Sequence, residues 1–416
     1  MEKYVINGGI RLDGKVEIES AKNSVLPMLA GAILTDEDVV IKNCPKINDV
    51  LNMIKILKTL GVKAEFLGKD LIICAKTLNG YIIAEDLSKE LRSSVFMLGA
   101  LLSKVGKAKI AYPGGCDIGM RPIDIHIQGL KRLGVDVLDV SGEVICTVGK
   151  IIGNSIYLDF PSVGATENLI LASVFCSGET IIRNAAKEPE ILDLVNFLNS
   201  MGAKIYGGGS GTIIVCGVNE LHGTVYKPIP DRIEAGTFLI AGAITGGEVE
   251  VSNVKAENIS SLIHKLLNNT CKISIKNDII HLKSGRVRKA FGVETSPYPG
   301  FPTDMQAQIM ALLSVSFGTS VVVENIFEMR FKHARELVKM GADIKICGKT
   351  AIINGVKSLH GASVKAEDLR GGAALVLAGL SAEGRTTVHN AYHVERGYYL
   401  FDKKLRMLGA DIKRKK

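Results

Sequence analysis

Three arginines that each stand close to an acidic residue indicate a binding site for an anion. They are Arg330, Arg370 and Arg396, and each follows a Glu or an Asp by one or two residues. A guanidinium group holds a carboxylate or a phosphate through two parallel hydrogen bonds. Each arginine could instead form a salt bridge with its own acidic neighbour. If the three converge with Lys22 and Arg121, however, they form a strongly cationic cleft.

Other polar residues stand where apolar segments begin, a position typical of helix N-termini. Lys22 and Asn23 precede one such segment, and residues 161–168 offer hydroxyl groups and backbone amides before another. Backbone N–H groups at a helix N-terminus favour anions, although an ordinary helix cap would explain the first segment equally well. Asp304 begins a third apolar segment. It is either a first-turn acid or a base that acts on a hydroxyl group.

The most unusual segment is 112–126, which contains three glycines and two prolines. Such a composition predicts a loop that can move or approach a ligand closely. Cys116 is the one cysteine outside an apolar strand or helix, and Arg121 could partly activate its thiol. The thiol could serve as general acid, nucleophile or gate, or be incidental. Neither GxGxxG nor GxxxxGK[ST] occurs, so no dinucleotide fold or P-loop is predicted.

An internal repeat supplies the elements that would position these residues. Each copy has an apolar, Ala/Gly-rich helix and a β-branched strand, then an amphipathic helix that ends in Leu-Gly or Met-Gly before another strand. The period of about 70 residues gives six copies, and the fourth, near Thr270, lacks the glycine. The apolar helices have little polar face, which predicts that they lie buried inside an α/β fold. The terminal glycines are Gly61, Gly134, Gly202, Gly341 and Gly409.

Six copies predict two domains of three repeats each. A proline-marked crossing at residues 227–231 suits a link between them. The predicted boundaries are 21–229 for the domain that carries Cys116, and 1–20 with 230–416 for the other. Residues 4–6 and 15–18 are expected to form a strand pair outside the repeat.

Composition excludes several classes of protein. The 416 residues carry 51 Lys and Arg against 43 Asp and Glu, a net charge of +8, but aromatic residues are only 5% and Trp is absent. A nucleic-acid surface would need basic and stacking residues together. The eight cysteines form no CxxC pair, so no zinc cluster is predicted. No apolar run reaches the roughly 20 residues that span a bilayer, and we expect a cytoplasmic protein without a membrane partner.

At these residues the sequence resembles the enolpyruvyl transferase family, from residue 7 to residue 410. The motifs that carry the resemblance are Ala21-Lys22-Asn23, Pro113-Gly-Gly-Cys116, Arg121-Pro122 with Asp124-Ile-His126, Ser162-Val-Gly-Ala-Thr166, Glu188-Pro-Glu190, Pro230-Asp-Arg232, Phe301 to Gln308, Arg330, Asp368-Leu-Arg370 and Glu395-Arg396-Gly-Tyr398. Together these motifs are highly specific, although none suffices alone.

The resemblance implies a fold and an activity. The fold would be two similar inside-out α/β barrel domains with the active site in the cleft between them. The reaction would transfer the enolpyruvyl group of phosphoenolpyruvate to the 3′-hydroxyl of UDP-N-acetylglucosamine and release phosphate, as the first committed step of peptidoglycan synthesis. No metal or organic cofactor is implied, and the partners would be these two small molecules.

The resemblance also implies roles for individual residues. Cys116, Asp304, Lys22 and Arg396 would be catalytic, with Asp304 as base and Cys116 as the proton-donating thiol that fosfomycin alkylates. Phosphoenolpyruvate would contact Lys22, Asn23, Arg121, Arg370 and Arg396. UDP-N-acetylglucosamine would contact Asn23, Arg92, Arg121, Pro122, Ile123, Asp124, Ser162, Val163, Asp304 and Ile326. Ser20 and Phe160 depart from the family pattern, and Phe160 would alter one contact near the uridine.

Three other functions are consistent with parts of the sequence. The closest is the family branch that acts on shikimate 3-phosphate, although that branch lacks the thiol loop around Cys116. An RNA-end-processing protein on a related fold would need a nucleotidylated histidine, for which His126 is the only loop candidate. A non-catalytic relative with a regulatory role is the third alternative, and the complete set of charged positions disfavours it.

Overall fold

The computed structural model describes residues 2–112, 123–285 and 287–415, so Cys116, Arg121 and Pro122 lie outside the described residues. The described chain forms two compact units. Residues 20–112 and 123–229 make up the N-terminal unit, whereas residues 2–19, 230–285 and 287–415 make up the C-terminal unit. None of the helices in these ranges has both the length and the apolar character needed to cross a bilayer.

Apart from one short and mostly exposed helix, the helices of the described residues alternate between buried and amphipathic types. They are α1 (Lys22–Gly31), α2 (Asn48–Thr59), α3 (Glu85–Glu90), α4 (Phe96–Val105), α5 (Asp124–Arg132), α6 (Val163–Ser173), α7 (Pro189–Ser200), α8 (Arg232–Thr245), α9 (Ser260–Asn268), α10 (Gln306–Ser314), α11 (Lys332–Lys339), α12 (Leu369–Ser381) and α13 (Phe401–Met407).

The strands are short, and most carry the β-branched residues expected from the repeat. They are β1 (Lys3–Asn7), β2 (Asp13–Glu17), β3 (Val39–Ile41), β4 (Lys63–Leu67), β5 (Asp70–Cys74), β6 (Lys107–Ala111), β7 (Asp136–Val140), β8 (Glu143–Thr147), β9 (Ser155–Tyr157), β10 (Glu179–Arg183), β11 (Lys204–Tyr206), β12 (Thr212–Cys216), β13 (Thr224–Tyr226), β14 (Glu248–Ser252), β15 (Lys272–Lys276), β16 (Ile279–Lys283), β17 (Val293–Glu294), β18 (Thr319–Val323), β19 (Asp343–Cys347), β20 (Thr350–Asn354), β21 (Ser363–Lys365), β22 (Arg385–His389) and β23 (Asp411–Lys415).

The strands of the N-terminal unit form three small sheets. Their orders are β13-β3-β5-β4, β6-β8-β7 and β9-β10-β12-β11. Two of the sheets start with a parallel pair, β13 with β3 and β9 with β10, and continue with antiparallel strands. In the middle sheet a single parallel bridge from Ile82 to Lys109 stands in place of the first strand. The repeat seen in the sequence therefore corresponds to a small sheet of similar strand order that recurs three times in this unit.

The strands of the C-terminal unit follow the same plan, with two strands supplied by the first residues of the chain. The orders are β2-β14-β16-β15, β17-β18-β20-β19 and β21-β22-β1-β23. Strand β2 runs parallel to β14, and β1 lies antiparallel between β22 and β23. The expectation that these two segments pair with each other is wrong, because each completes a different sheet whose own repeat lacks one strand.

The six apolar helices lie inside the units, as the sequence predicts. Helices α1, α4 and α6 contact one another in the N-terminal unit, and α8, α10 and α12 do so in the C-terminal unit. Nearly all of their residues are buried. The inside-out α/β class is confirmed, with helices at the centre of each unit and three separate sheets around them.

Left-handed residues end the amphipathic helices. Gly134 follows α5 with a φ of 85°, and Gly202 follows α7 with a φ of 101°. The fourth repeat has Thr270 at this position, with a φ of 76°. A β-branched residue in the left-handed region is strained, and a hydrogen bond from its hydroxyl to the carbonyl oxygen of Val287 opposes that strain. The left-handed conformation is therefore required after each amphipathic helix. Most repeats provide it with a glycine, and the fourth provides it with a hydrogen-bonded threonine.

Replacing Gly134 by alanine tests this requirement. A Cβ atom at Gly134 would meet no atom within 4 Å, so only the left-handed backbone opposes the substitution. We expect Gly134→Ala to lower the free energy of unfolding by about 1 kcal/mol. Gly149→Ala is the control, because a Cβ there also has open space and its φ is not left-handed. Urea unfolding measures both, and an equal change in the two variants would contradict the explanation.

Candidate active site

The candidate site of the C-terminal unit forms at the N-terminal ends of its inner helices. Asp304 lies in a 3₁₀ turn, Thr303–Met305, that leads into α10. Arg370 lies in the first turn of α12, whose N-terminus Asp368 caps by accepting hydrogen bonds from the backbone N–H groups of Arg370 and Gly371. Asp231 caps α8 in the same way. Capping by acids is favourable at the positive end of a helix dipole.

The carboxylate of Asp304 binds two arginines. Its Oδ1 is 2.6 Å from an Nη2 of Arg330, and its Oδ2 is 3.0 Å from Nη2 of Arg370. The side chains of Arg330 and Arg370 are only 5% and 4% exposed, whereas that of Asp304 is 28% exposed. The partner of both guanidinium groups is Asp304, not the acid that shortly precedes each arginine in the sequence. The structure thus brings Arg330 and Arg370 together at Asp304. The sequence alone is equally consistent with a local salt bridge between each arginine and its own acidic neighbour.

The environment of Arg370 stabilises its charge in spite of burial. Burial disfavours the cation, but the fields of Tyr398, Asp304 and Asp231 together raise the pKa of Arg370 above its ordinary value. The guanidinium group also stacks on the ring of Tyr398, with 5.3 Å between its central carbon and the ring centroid. Its Nη1 is buried and has no hydrogen-bond acceptor among the described residues. A charged donor of this kind is suited to bind an anion.

The charge of Arg396 acts on the same part of the C-terminal unit as the helix cap Asp368. It ends a 3₁₀ segment, Ala391–Arg396, and is half-buried. After burial, the charge of Arg396 is the main cause that lowers the pKa of His393, and Asp368 opposes it. Arg396 and Asp368 therefore both lie within electrostatic range of one imidazole. Ile326, the remaining residue predicted for this unit, lies in the turn that follows β18 and is partly buried.

The N-terminal unit holds the other described candidates. Lys22 is the first residue of α1, and its Nζ is 3.0 Å from Oδ2 of the buried Asp49. Asn23 follows it and is partly buried, and Arg92 begins a 3₁₀ turn before α4. Ile123 is almost fully buried, so its side chain is a core group. These candidates belong to the unit that lacks Asp304.

Helices α5 and α6 present the remaining candidates at their N-termini. Asp124 is the first residue of α5 and is exposed. Ser162 caps α6 by accepting a hydrogen bond from the backbone N–H of Ala165, and Val163 is the first helical residue. The first backbone N–H groups of α6 have no intrahelical acceptor, as at any helix start. This confirms that Ser162 and Val163 begin a helix, as their sequence context predicts.

His126 is a buried residue of α5 whose tautomer is fixed by Asn168. The side-chain oxygen of Asn168 accepts a 2.6 Å hydrogen bond from the backbone N–H of Gly99, so its amide nitrogen faces Nδ1 of His126 at 3.1 Å. Because that nitrogen can only donate, Nδ1 is an acceptor and the ring proton lies on Nε2. The ring packs against Gly164, where an added Cβ would come within 3.2 Å of it.

Each unit has a core of three helices with three small sheets around it, and the C-terminal unit holds a carboxylate between two buried arginines. The family described as EPSP synthase (3-phosphoshikimate 1-carboxyvinyltransferase) matches residues 6–405. This match covers almost the whole chain, so the chain belongs to this family of enolpyruvyl transferases.

Two curated relatives are similar over their full length. The chain is 52% identical to UDP-N-acetylglucosamine 1-carboxyvinyltransferase 2 of Caldanaerobacter subterraneus subsp. tengcongensis, with 100% of both chains covered. It is 49% identical to UDP-N-acetylglucosamine 1-carboxyvinyltransferase 1 of Clostridium acetobutylicum, again with 100% of both chains covered. The predicted membership of the enolpyruvyl transferases is confirmed.

Solved structures show the same fold. The crystal structure of the enolpyruvyl transferase NikO from Streptomyces tendae matches with a TM-score of 0.88 and 25% identity, covering 99% of this chain and 98% of that one. EPSP synthase from Acinetobacter baumannii matches with a TM-score of 0.78 and 18% identity over 100% of both chains. The second likeness bears on the fold alone.

The buried His333, on α11 beside the site, predicts a pH dependence of stability. Burial lowers the pKa of His333 to about 4, an effect that Asp368 opposes and Arg330 increases. Since the unfolded residue titrates near 6.5, the unfolded state takes up the proton first as the pH falls. The contribution of neutral His333 is therefore fully present above pH 6.5 and is lost as the pH falls from about 6.5 to about 4. It amounts to roughly 3 kcal/mol.

We expect His333→Asn to flatten the dependence of the free energy of unfolding on pH between about 6.5 and 4. Guanidinium unfolding at a series of pH values measures this slope. His264→Asn is the matched control, because His264 is an exposed residue of α9. Identical slopes in the two variants would show that His333 does not carry the effect.

Proposed function

We propose that this chain transfers the enolpyruvyl group of phosphoenolpyruvate to the 3′-hydroxyl of UDP-N-acetylglucosamine and releases phosphate, a step of peptidoglycan synthesis. The observation that carries the proposal is the identity of about half of all residues, over full length, with relatives named for this activity. The proposal includes the cytoplasmic location expected from the sequence. No partner beyond the two small substrates is needed.

The Asp304 cluster supports the binding of phosphoenolpyruvate. This substrate carries a carboxylate and a phosphate, so its site needs several cations. Arg370 offers a buried charged donor, Nη1, without an acceptor among the described residues. We propose that five residues contact the anionic groups of phosphoenolpyruvate. Arg370 and Arg396 belong to the C-terminal unit, and the others are Lys22, Asn23 and Arg121. Arg121 lies outside the described residues, so its assignment rests on the resemblance.

An exchange of ion pairs would make Asp304 available as a base. In the structure each carboxylate oxygen of Asp304 accepts a hydrogen bond from a guanidinium group. When an anion of phosphoenolpyruvate binds Arg370, it replaces Oδ2 of Asp304 as the acceptor. Oδ2 could then accept the proton of the sugar hydroxyl while Arg330 still holds Oδ1. Asp304 would therefore act as a base only when phosphoenolpyruvate is bound.

The chemistry proceeds by addition and elimination. The sugar oxygen attacks C2 of phosphoenolpyruvate as its proton passes to Asp304, and C3 gains a proton from an acid, so a tetrahedral ketal forms. C3 then loses a proton, the double bond re-forms and the C2–O bond to phosphate breaks. We assign the proton donor to Cys116, which lies outside the described residues, and expect fosfomycin to alkylate it. Lys22 and Arg396 would stabilise the phosphate as it leaves.

The N-terminal end of α6 supports binding of the nucleotide sugar. Backbone N–H groups and a helix dipole favour a diphosphate at Ser162 and Val163. The full proposed set of contacts is Asn23, Arg92, Arg121, Pro122, Ile123, Asp124, Ser162, Val163, Asp304 and Ile326. Because the Ile123 side chain is buried, its backbone rather than its side chain would make the contact.

A second candidate acceptor is shikimate 3-phosphate. The description of the matched family names the enzyme that acts on this compound. This candidate is less well supported, because the relatives that are about 50% identical over their full length are named for the nucleotide sugar.

A phosphate-release assay separates the two acceptors. We expect the chain to release phosphate from phosphoenolpyruvate in the presence of UDP-N-acetylglucosamine and not in the presence of shikimate 3-phosphate. The enolpyruvyl product, identified by mass spectrometry, excludes simple hydrolysis. Release with shikimate 3-phosphate alone would replace the proposal with the second candidate. Silence with both acceptors would favour a non-catalytic protein.

Substitution of Arg396 tests the assignment of the anion site. A hydrogen bond to a charged group contributes about 1.5–3 kcal/mol. Arg396→Ala should therefore raise the KM for phosphoenolpyruvate by roughly 10-fold to 100-fold, and the KM for UDP-N-acetylglucosamine by less than about threefold. Arg385→Ala, an exposed arginine of β22, is the control and should change neither. Equal increases in both constants would argue against the assignment.

A further inference from the structure

Glu324 is a fully buried carboxylate directly after β18, at 0% exposure. It accepts four hydrogen bonds. The backbone N–H groups of Ile326 and Phe327 donate to Oε1 at 2.9 and 3.1 Å, and the hydroxyl of Thr295 donates to the same oxygen at 2.9 Å. The hydroxyl of Thr303 donates to Oε2 at 2.9 Å. A buried carboxylate is costly unless its oxygens are satisfied, and here both are.

One oxygen of Glu324 fixes the turn that carries Ile326. Oε1 binds two successive backbone N–H groups of the turn. The hydroxyl of Thr295, besides donating to Oε1, accepts a 2.9 Å hydrogen bond from the backbone N–H of Asn325. Three consecutive amides of the turn are therefore held by Glu324 and Thr295. The backbone of Ile326 has little freedom to move relative to β17 and β18.

The other oxygen of Glu324 leads to Asp304. Nη1 of Arg330 donates to the hydroxyl oxygen of Thr303 at 2.9 Å, so the hydroxyl hydrogen has to point to Oε2 of Glu324. Nη2 of Arg330 donates to Oδ1 of Asp304 at 2.6 Å. Each bond in this series has a single possible direction, because arginine can only donate and a carboxylate can only accept. The series fixes the orientation of the guanidinium group that holds Asp304.

We propose that Glu324 is a positioning residue that holds Asp304 and the Ile326 turn in a fixed relation for the reaction. This inference rests on the proposed function, from which the roles of Asp304 and Ile326 come. Glu324 acts on Asp304 through Thr303 and Arg330, and on Ile326 through the backbone. Glutamine could not replace it fully, because its amide has one acceptor oxygen where the two sides of Glu324 each need one.

The two sides of Glu324 can be broken separately. Thr303→Val removes the hydroxyl between Glu324 and Arg330 and leaves the turn intact. We expect kcat to fall at least 10-fold, with both KM values within about threefold of the original. Thr303→Ser keeps the hydroxyl and should restore most of kcat. Thr295→Val loosens the turn instead, so it should raise the KM for UDP-N-acetylglucosamine by about 10-fold and change kcat less than threefold.

Glu324→Gln tests the residue itself. We expect a fall in kcat at least as large as that of Thr303→Val, and a Thr303→Val/Glu324→Gln double variant with a kcat no lower than that of Glu324→Gln, because the two changes break one connection. The control is Glu294→Gln, the same change at an exposed residue of β17 that contacts Asn325. It should leave kcat and KM unchanged.

The wild-type protein distinguishes two kinds of failure. If it releases phosphate with UDP-N-acetylglucosamine but Thr303→Val and Glu324→Gln have unchanged kcat, the positioning role is wrong and the proposed function stands. A lower thermal midpoint without a change in kcat is the result expected of a merely structural residue, and it too overturns the role. If the wild-type protein is silent with both acceptors, the proposed function and this inference fail together.

Discussion

The close packing of the inner helices is the constraint on which the rest of each unit depends. In the N-terminal unit, a Cβ atom on Gly99 of α4 would lie 2.2 Å from the backbone oxygen of Asn168 on α6. In the C-terminal unit, a Cβ on Gly236 of α8 would lie 2.7 Å from the side chain of Met305, just before α10. Helices can approach this closely only without a side chain between them. The same approach brings helix N-termini, and the polar groups on them, near to one another.

The polar groups at these N-termini show why a site forms there rather than elsewhere. Arg330 and Arg370 are buried cations, and Asp304 is their shared counter-charge. A buried ion pair adds little net stability, because desolvation of the charges offsets their attraction. Its value lies in a fixed arrangement of charge that an anionic substrate can enter and rearrange. Asp304 is the most exposed of the three residues, and it is the one that we propose to act as a base.

The sequence predicts these features unevenly, for physical reasons. Apolar composition identified the inner helices and glycines identified helix ends, because both depend on local rules. The spacing of Arg330 and Arg370 could not reveal that they share Asp304, since that contact joins residues 26 and 66 positions apart. The role of Glu324 is not predictable from the sequence, because its context is that of an ordinary polar residue at the end of a strand. The roles proposed for all site residues stay predictions, and Cys116, Arg121 and Pro122 also lie outside the described residues.

The arrangement of β1 and β2 has a consequence for biogenesis. Strand β1 lies between β22 and β23, so this sheet joins segments of the chain that are made hundreds of residues apart. The N-terminal unit draws all of its described sheets from residues 39–226 and can acquire its strands while synthesis continues. The segment 3–17, in contrast, has to wait for partners made hundreds of residues later. A nascent-chain chaperone that shields this segment would therefore favour correct assembly over aggregation.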